Sequence, residues 1–419
     1  MERDTLRILM LLAAVITLYS YKIVFYNKPL FEVFFPINYF TIVLIMLIVT
    51  IIIKIITWLR SGNKFFLGFK YIFPIFTELK PGHICIYGAT GSGKTTFTKN
   101  LIKNISRKIP VLILDWHGEY NLNNFLILKP GDNFSINPLT YYSGELSEHI
   151  EYIVDLFGDV YKFSEPQRYM FRLALKRAFN TSLEPTIAQI LEIISSMALK
   201  SYWDYEIKMA IKRRLSTLTE GRIGKAFSRN SISLSILFSK NMIIDLSVFR
   251  SIYIKKLYAM LILKILYDHF LLKSTITDKV THITVIEEAW NIIPYRRLDT
   301  EPSIGERLFA ELRKYGEFII SVSQFPSETA WSIMKNARML IIFRLPPRES
   351  EMLTGSKVKI DFSNLKPGVF FFAKNGYFSK IYSLPMLAHF LFSKNYPKED
   401  RKLILKIKIG DNLGGRNKI

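Results

Sequence analysis

The sequence predicts an α/β protein, a parallel sheet with helices on both faces, interrupted by an all-helical insertion. Three observations predict it. Ile84-Cys85-Ile86-Tyr87 runs straight into Gly88-Ala89-Thr90-Gly91-Ser92-Gly93-Lys94-Thr95, of the form G-x-x-x-x-G-K-T, and helix-like spacing follows over 96–102. Short apolar runs ending in acidic or amide residues recur downstream and alternate with helical stretches, the arrangement of a covered parallel sheet. Between these groups, residues 145–235 keep helical periodicity with little proline.

The first run reads as a phosphate-binding loop because strand, loop and helix are all present around the pattern. Gly88, Gly91 and Gly93 let the backbone wrap a β-phosphate where side chains would clash. Lys94 is expected to reach the β/γ oxygens, and the Thr95 hydroxyl to hold Mg²⁺. The candidate nucleotide-binding residues are therefore Gly88, Ala89, Thr90, Gly91, Ser92, Gly93, Lys94, Thr95 and Thr96, with ATP and Mg²⁺ as the expected ligands.

The chain has 419 residues, enough for two or three domains. Its 57 Lys and Arg against 35 Asp and Glu leave a net charge of +22, which favours polyanions such as nucleic acid or an anionic membrane face. The single cysteine, Cys85, excludes an intrachain disulfide framework and fits a reducing compartment.

Taken in order, residues 8–26 are apolar apart from Lys22 and scattered hydroxyls and tyrosines, and 37–59 are apolar apart from Lys54 and a few polar side chains. Each run is long enough to cross a hydrocarbon layer of about 30 Å. Residues 1–60 are thus expected to form an N-terminal transmembrane helical hairpin. That places the chain at the cell membrane with two spans and its nucleotide-binding part in the cytoplasm. Residues 61–80 read as a short basic, aromatic connector.

Val111–Leu114 is a buried-strand run ending in Asp115-Trp116-His117-Gly118-Glu119-Tyr120. Asp115 and Glu119 can serve either ligand binding at a strand's carboxyl end or ordinary loop capping. A further short segment, 134–139, closes this part, so 61–144 forms the first part of the nucleotide-binding domain. The second half of the 145–235 insertion is basic: Lys200, Lys208, Lys212, Arg213, Arg214, Arg222, Lys225 and Arg229. Strands are then expected at 241–246, 283–286, 318–323 and 339–344, with helices at 253–272 and 302–315. Residues 236–392 complete the domain, and 393–419 form a basic C-terminal tail.

Hydrolysing ATP requires Mg²⁺, a positioned water with its base, and positive charge near the γ-phosphate. Glu287 and Glu288 follow the run Ile283–Ile286, so Glu287 is expected to hold Mg²⁺ and Glu288 to activate water. Gln324 ends a separate strand on the same edge and could sense the γ-phosphate. The six histidines have no metal-ligand helical spacing, so no zinc site is expected.

Five stretches resemble the HerA–FtsK superfamily of DNA-pumping ATPases, including type IV secretion ATPases and conjugative coupling proteins. They are GATGSGKTT at 88–96, ILDWHGEY at 113–120, SINPL at 135–139, VIEEAWNII at 285–293 and RKYGEFIISVSQFPSE at 313–328; Leu365-Lys366-Pro367-Gly368 is a looser match. The resemblance implies a RecA-like P-loop NTPase forming a homo-hexameric ring around DNA, with sites at subunit interfaces. It implies an arginine acting in trans, for which Arg313 is the candidate and Arg344 the alternative. Glu287 departs from the aspartate usual at that place. The expected function is a membrane-anchored, hexameric, ATP-driven DNA translocase working with other components of a membrane DNA-transfer channel. An ATPase for protein secretion or pilus assembly, or a membrane-tethered NTP switch, are the alternatives.

Overall fold

The structure is a computed structural model that describes residues 64–383 apart from 72, 143, 200, 274–275, 298–300, 355–359 and 375, together with residues 46, 49 and 50. The chain divides into two units, Met1–Gly62 and Asn63–Ile419, and every described strand belongs to the second. The runs 8–26 and 37–59, apart from those three residues, and the tail from 393 lie outside the described residues.

The expected two-pass membrane location is corrected. Among the described residues no helix is long and apolar enough to cross a membrane. The longest described helix, Ile252–Lys273, packs its apolar residues into the protein core instead.

The second unit opens with β1 (Lys64–Lys70) and β2 (Phe73–Glu78), paired antiparallel. This hairpin replaces the connector expected at 61–80. Gly68 shifts the register beside Phe66, and Pro74 lies on the sheet's outermost strand, the kind of strand on which proline is tolerated. β3 (Gly82–Tyr87) is buried throughout and leads through the phosphate loop into α1 (Lys94–Ile105). β4 (Val111–Asp115) and β5 (Leu126–Leu128) follow. The segment 134–139 is not a strand.

Between β5 and the next strand the chain is helical: α2 (Leu146–Tyr161), α3 (Glu165–Thr181), α4 (Ile187–Ser196), α5 (Tyr202–Ser216), α6 (Gly221–Ala226) and α7 (Leu234–Ser239). Starts are set by capping. Gln167 and Gln189 each accept from the backbone N–H of the cap residue three positions earlier, at 3.1 and 2.8 Å. Alternation then resumes with β6 (Met242–Asp245), α8 (Ile252–Lys273), β7 (His282–Glu287), α9 (Ile304–Leu312) and β8 (Glu317–Ser323). α10 (Trp331–Asn336), β9 (Met339–Ile342), α11 (Pro347–Thr354), β10 (Val369–Lys374) and β11 (Tyr377–Tyr382) complete it.

One eleven-stranded sheet has the order β2-β1-β11-β10-β9-β3-β8-β7-β4-β6-β5. From β9 to β5 every pairing is parallel; from β9 outward to β2 every pairing is antiparallel. Alternate residues feed opposite cores. Ile84 and Ile86 join Phe97, Leu101, Ile102 and Ile105 of α1 on one face. Cys85 and Tyr87 join the helices α2–α5 and α8–α10 on the other. Burying each α1 anchor stabilises the face by about 1.5–3 kcal/mol. β3, covered on both sides and flanked by β9 and β8, holds the phosphate loop at the carboxyl edge of the sheet's centre.

Candidate functional site

The loop after β3 is anchored to its neighbouring strands before any side chain is considered. Gly88 N–H donates to the Gln324 carbonyl at 3.2 Å, and Ala89 N–H to the Arg344 carbonyl at 2.8 Å. A Cβ at Gly88 would stand 2.6 Å from Phe343 Cβ and 2.7 Å from Ser92 Oγ, so only glycine fits. Gly93, with φ of 104°, is the left-handed cap from which α1 starts, a conformation that costs other residues about 1–2 kcal/mol. α1 therefore points its free N–H groups and positive dipole end into the loop, as an anion requires. Lys94 Nζ folds back to donate to the Gly88 carbonyl and, at 3.2 Å, to that of Ala89. Burial lowers its pKa, while Glu288, Glu287 and Glu119 pull it back up.

Three neighbouring strand ends face this loop. Asp115, at the end of β4, accepts N–H donors from His117 (3.2 Å), Gly118 (2.8 Å), Glu119 (3.2 Å) and Tyr120 (2.8 Å). It is a loop cap. The turn it locks carries His117 and Glu119 into the cleft. Glu287, at the end of β7, is only 4% exposed, and one carboxylate oxygen, Oε2, has no hydrogen-bond partner. Burial and then the charge of Asp115 push its pKa up to about 8.

Glu288 takes a left-handed backbone, φ 46°, which turns it out of the strand's alternation and into the cleft. Its Oε2 accepts from Trp290 Nε1 at 2.6 Å, and its Oε1 from Gln324 Nε2 at 3.3 Å. His117 Nε2 stands 3.5 Å from the same Oε1.

A cleft of about 560 Å³ gathers Thr90, Gly91, Gly93, Lys94, Thr95, Thr96, Glu287, Glu288 and Gln324. Of the predicted residues, Gly88, Ala89 and Ser92 build the loop beneath it. Glycine-limited backbone, helix N-terminus, Lys94 and the Thr95 hydroxyl fit a polyphosphate. The unpartnered Glu287 oxygen, on the same cleft as Thr95, fits a hard cation that takes one or two protein oxygens and the rest from phosphates and water.

Arg313 is not in the cleft. It stands exposed in the turn before β8, at the sheet's amino edge, separated from the loop by the length of β3, roughly 20 Å at 3.3 Å per residue. Arg344 lies two residues past β9 on the loop's own side, its Nη2 donating to the Thr90 carbonyl at 3.5 Å. His117 and Pro367 were missed as cleft residues, and Trp290 as the donor to Glu288. The HGE turn after a strand was a readable signal for His117; the indole was not, because only the left-handed Glu288 brings it into reach.

Among the basic insertion residues, Lys208 is spent on the Ser195 and Met197 carbonyls. Arg214 lies over the Phe163 ring, and Arg222 pairs with Asp132 at 3.2 Å.

The sequence profile described as helicase HerA, central domain, matches residues 78–266. No curated protein matches the chain. Among solved structures, VirB4 of Thermoanaerobacter pseudethanolicus is similar at TM-score 0.61 and 15% identity, covering 77% of this chain and 96% of that one. The plasmid coupling protein TrwB with the ATP analogue ADPNP is similar at TM-score 0.54 and 13% identity, covering 73% and 86%. TrwB with ADP and Mg²⁺ matches at TM-score 0.52 and 14% identity, covering 72% and 84%. At these identities the structures speak for the fold: an α/β architecture with a large, mostly parallel sheet, shared with these ATPases. In profile, motifs and fold, the chain is similar to the HerA–FtsK superfamily of P-loop ATPases.

Proposed function

We propose that the chain is an ATP-hydrolysing motor subunit that assembles as a homo-hexameric ring and translocates DNA in a conjugation or type IV secretion system, together with other channel components. The observation that carries this reading is the convergence of the phosphate loop, Glu287, Glu288 and Gln324 on one cleft, while Arg313 stands at the opposite edge. A base and a γ-phosphate sensor in place favour hydrolysis over a bare switch, and the net charge of +22 favours a polyanion as cargo. We further divide the core into 61–144 and 236–392 as the two parts of the ATPase domain, with 145–235 as its insertion and 393–419 as a basic tail.

In this reading the loop amides, Lys94 and the α1 N-terminus hold the phosphates of ATP. Thr95 and Glu287 would hold Mg²⁺, which neutralises phosphate charge when bound. Glu288 orients and deprotonates the attacking water, and Gln324 binds both Glu288 and the γ-phosphate. Arg313, too far away to reach its own cleft, serves a neighbouring subunit; Arg344 braces its own loop.

The test is ATP turnover of the assembled full-length protein with and without DNA. Stimulation by DNA is expected. Absence of DNA binding even at low salt moves the reading to protein secretion or pilus assembly. Mixing Arg313→Ala with Lys94→Ala subunits should restore part of the activity that each lacks alone, and mixtures as inactive as their components would exclude a shared site.

A further inference from the structure

A second polar cleft, about 450 Å³, opens between α2–α3, the start of α8 and the segment 292–297. Six lysines and arginines line it against four acids, Asp155, Asp159, Glu165 and Glu301, and the first three are already occupied by Arg168. Asp155 meets Arg168 at 3.2 Å and Arg307 at 3.3 Å, and Asp159 meets Arg168 at 3.4 Å and the backbone N–H of Ile304 at 3.3 Å. Two cations are not. Lys162 and Lys256 both line the cleft, and among the described residues neither ammonium has an ion-pair or hydrogen-bond partner. Burial lowers the Lys256 pKa, and repulsion by Lys162 outweighs attraction by Asp159. Two lysines with no ion-pair partner in one polar space leave positive charge there for an anion. Beside them Tyr295 exposes 57% of its surface on the cleft wall, an aromatic face of the kind on which bases stack.

The wall carrying Tyr295 is tied to the nucleotide cleft. The chain leaving Glu288 and the chain leaving Gln324 run together. Tyr295 N–H donates to the Glu328 carbonyl at 2.7 Å and Ala330 N–H to that of Ile293 at 2.9 Å, around an antiparallel bridge between Pro294 and Thr329. This pairing joins the two segments that leave Glu288 and Gln324 at the wall that bears Tyr295.

We propose that this cleft grips the phosphodiester backbone of a nucleic-acid strand, with Lys162 and Lys256 on phosphates and Tyr295 against a base, and that the 293–295/328–330 pairing couples the grip to the nucleotide site. This rests on the DNA-motor reading and gives it a place of contact.

The experiment measures affinity of the full-length protein for a labelled single-stranded oligonucleotide and for its duplex across a salt series, alongside ATP turnover. K162Q/K256Q should flatten the salt slope by about 1.4 on the single strand or about 1.8 on the duplex. It should also lose nucleic-acid stimulation while keeping basal turnover. Its melting temperature should hold, and K162R/K256R should restore the slope. Y295A should weaken single-strand binding without changing the slope. An unchanged slope in K162Q/K256Q overturns the site and leaves the motor reading standing. A wild-type protein that binds neither probe overturns both. Inorganic phosphate that competes as well as the oligonucleotide, at equal phosphate concentration, overturns a strand-binding cleft in favour of a free-anion site.

Discussion

Two groups of buried ionisable residues stand on opposite terms with their surroundings. Beneath α2, the Lys264 ammonium donates to Asp268 and lies 3.0 Å from His149 Nδ1, while His149 Nε2 lies 3.2 Å from the Leu139 carbonyl. Burial drives Lys264 down and Asp268 up, and their mutual attraction opposes both shifts. Each of the three side chains in that triad meets another of them, and His149 also meets a backbone carbonyl. In the nucleotide cleft, Glu287 keeps one buried oxygen unpaired, Lys94 leans on its own loop, and Glu288 is shared among the donors Trp290 and Gln324 with His117 nearby. A satisfied cluster braces two helices; an unsatisfied one at a cleft leaves polar atoms open to a ligand.

The sharpest way to break this contrast is Lys94→Ala. ATP turnover should vanish and nucleotide affinity fall steeply, with the melting temperature almost unmoved; undiminished turnover would sink the phosphate-loop assignment. Glu288→Gln should slow hydrolysis by about 10²–10⁴-fold while ATP remains bound, read by single-turnover assay. Parent-rate hydrolysis would transfer the base to another residue.

Lys264→Ala should act the other way. It strands Asp268 in the core and should cost about 3–5 kcal/mol of stability, with ATP turnover per folded molecule intact. A Lys264→Ala protein that melts normally yet fails in turnover would reverse the two roles.

Titration gives the most discriminating effects. Glu287 holds its proton to about pH 8 when folded, against about 4.5 for an ordinary glutamate. Between those values the unfolded chain has released the proton and the folded chain has not, so stability falls as pH rises. His149, held at about 4 by burial and then by the Lys264 charge, refuses a proton that the unfolded chain takes up near 6.5, so stability falls as pH drops from 6.5 to 4. Melting curves of nucleotide-free protein should lose their decline between about pH 4.5 and 8 in Glu287→Gln and part of their acid decline in His149→Gln.

How far the sequence could be read depends on the range of the forces involved. The phosphate loop, β4, β6, β7, β8 and β9 were legible because local patterns mark them: apolar runs, glycine spacing and acidic strand ends. Glu287, Glu288 and Gln324 were legible for the same reason. The antiparallel extension was not, because β1 and β2 contain Gly68 and Pro74 and the hairpin joins the sheet only through β11, far along the chain. Asp115 was readable in place but not in role, since a strand-end carboxylate can cap a turn or face a ligand. Trp290 depended on one left-handed residue, and the basic insertion residues depended on packing partners that no charge count displays.

That extension has a consequence for how the protein is made. β1 pairs with β11 in the register Phe69↔Tyr382, and in the sheet β11 and β10 stand between the β1–β2 hairpin and the parallel strands. At roughly 5–20 residues per second, the hairpin must wait on the order of 15–60 seconds of translation before its partner strand is synthesised. For that interval Phe65 and Leu67, destined for the core, sit on an unpaired edge of the nascent chain. A chaperone that shields this hairpin during synthesis should raise the yield of folded protein more than one added after release.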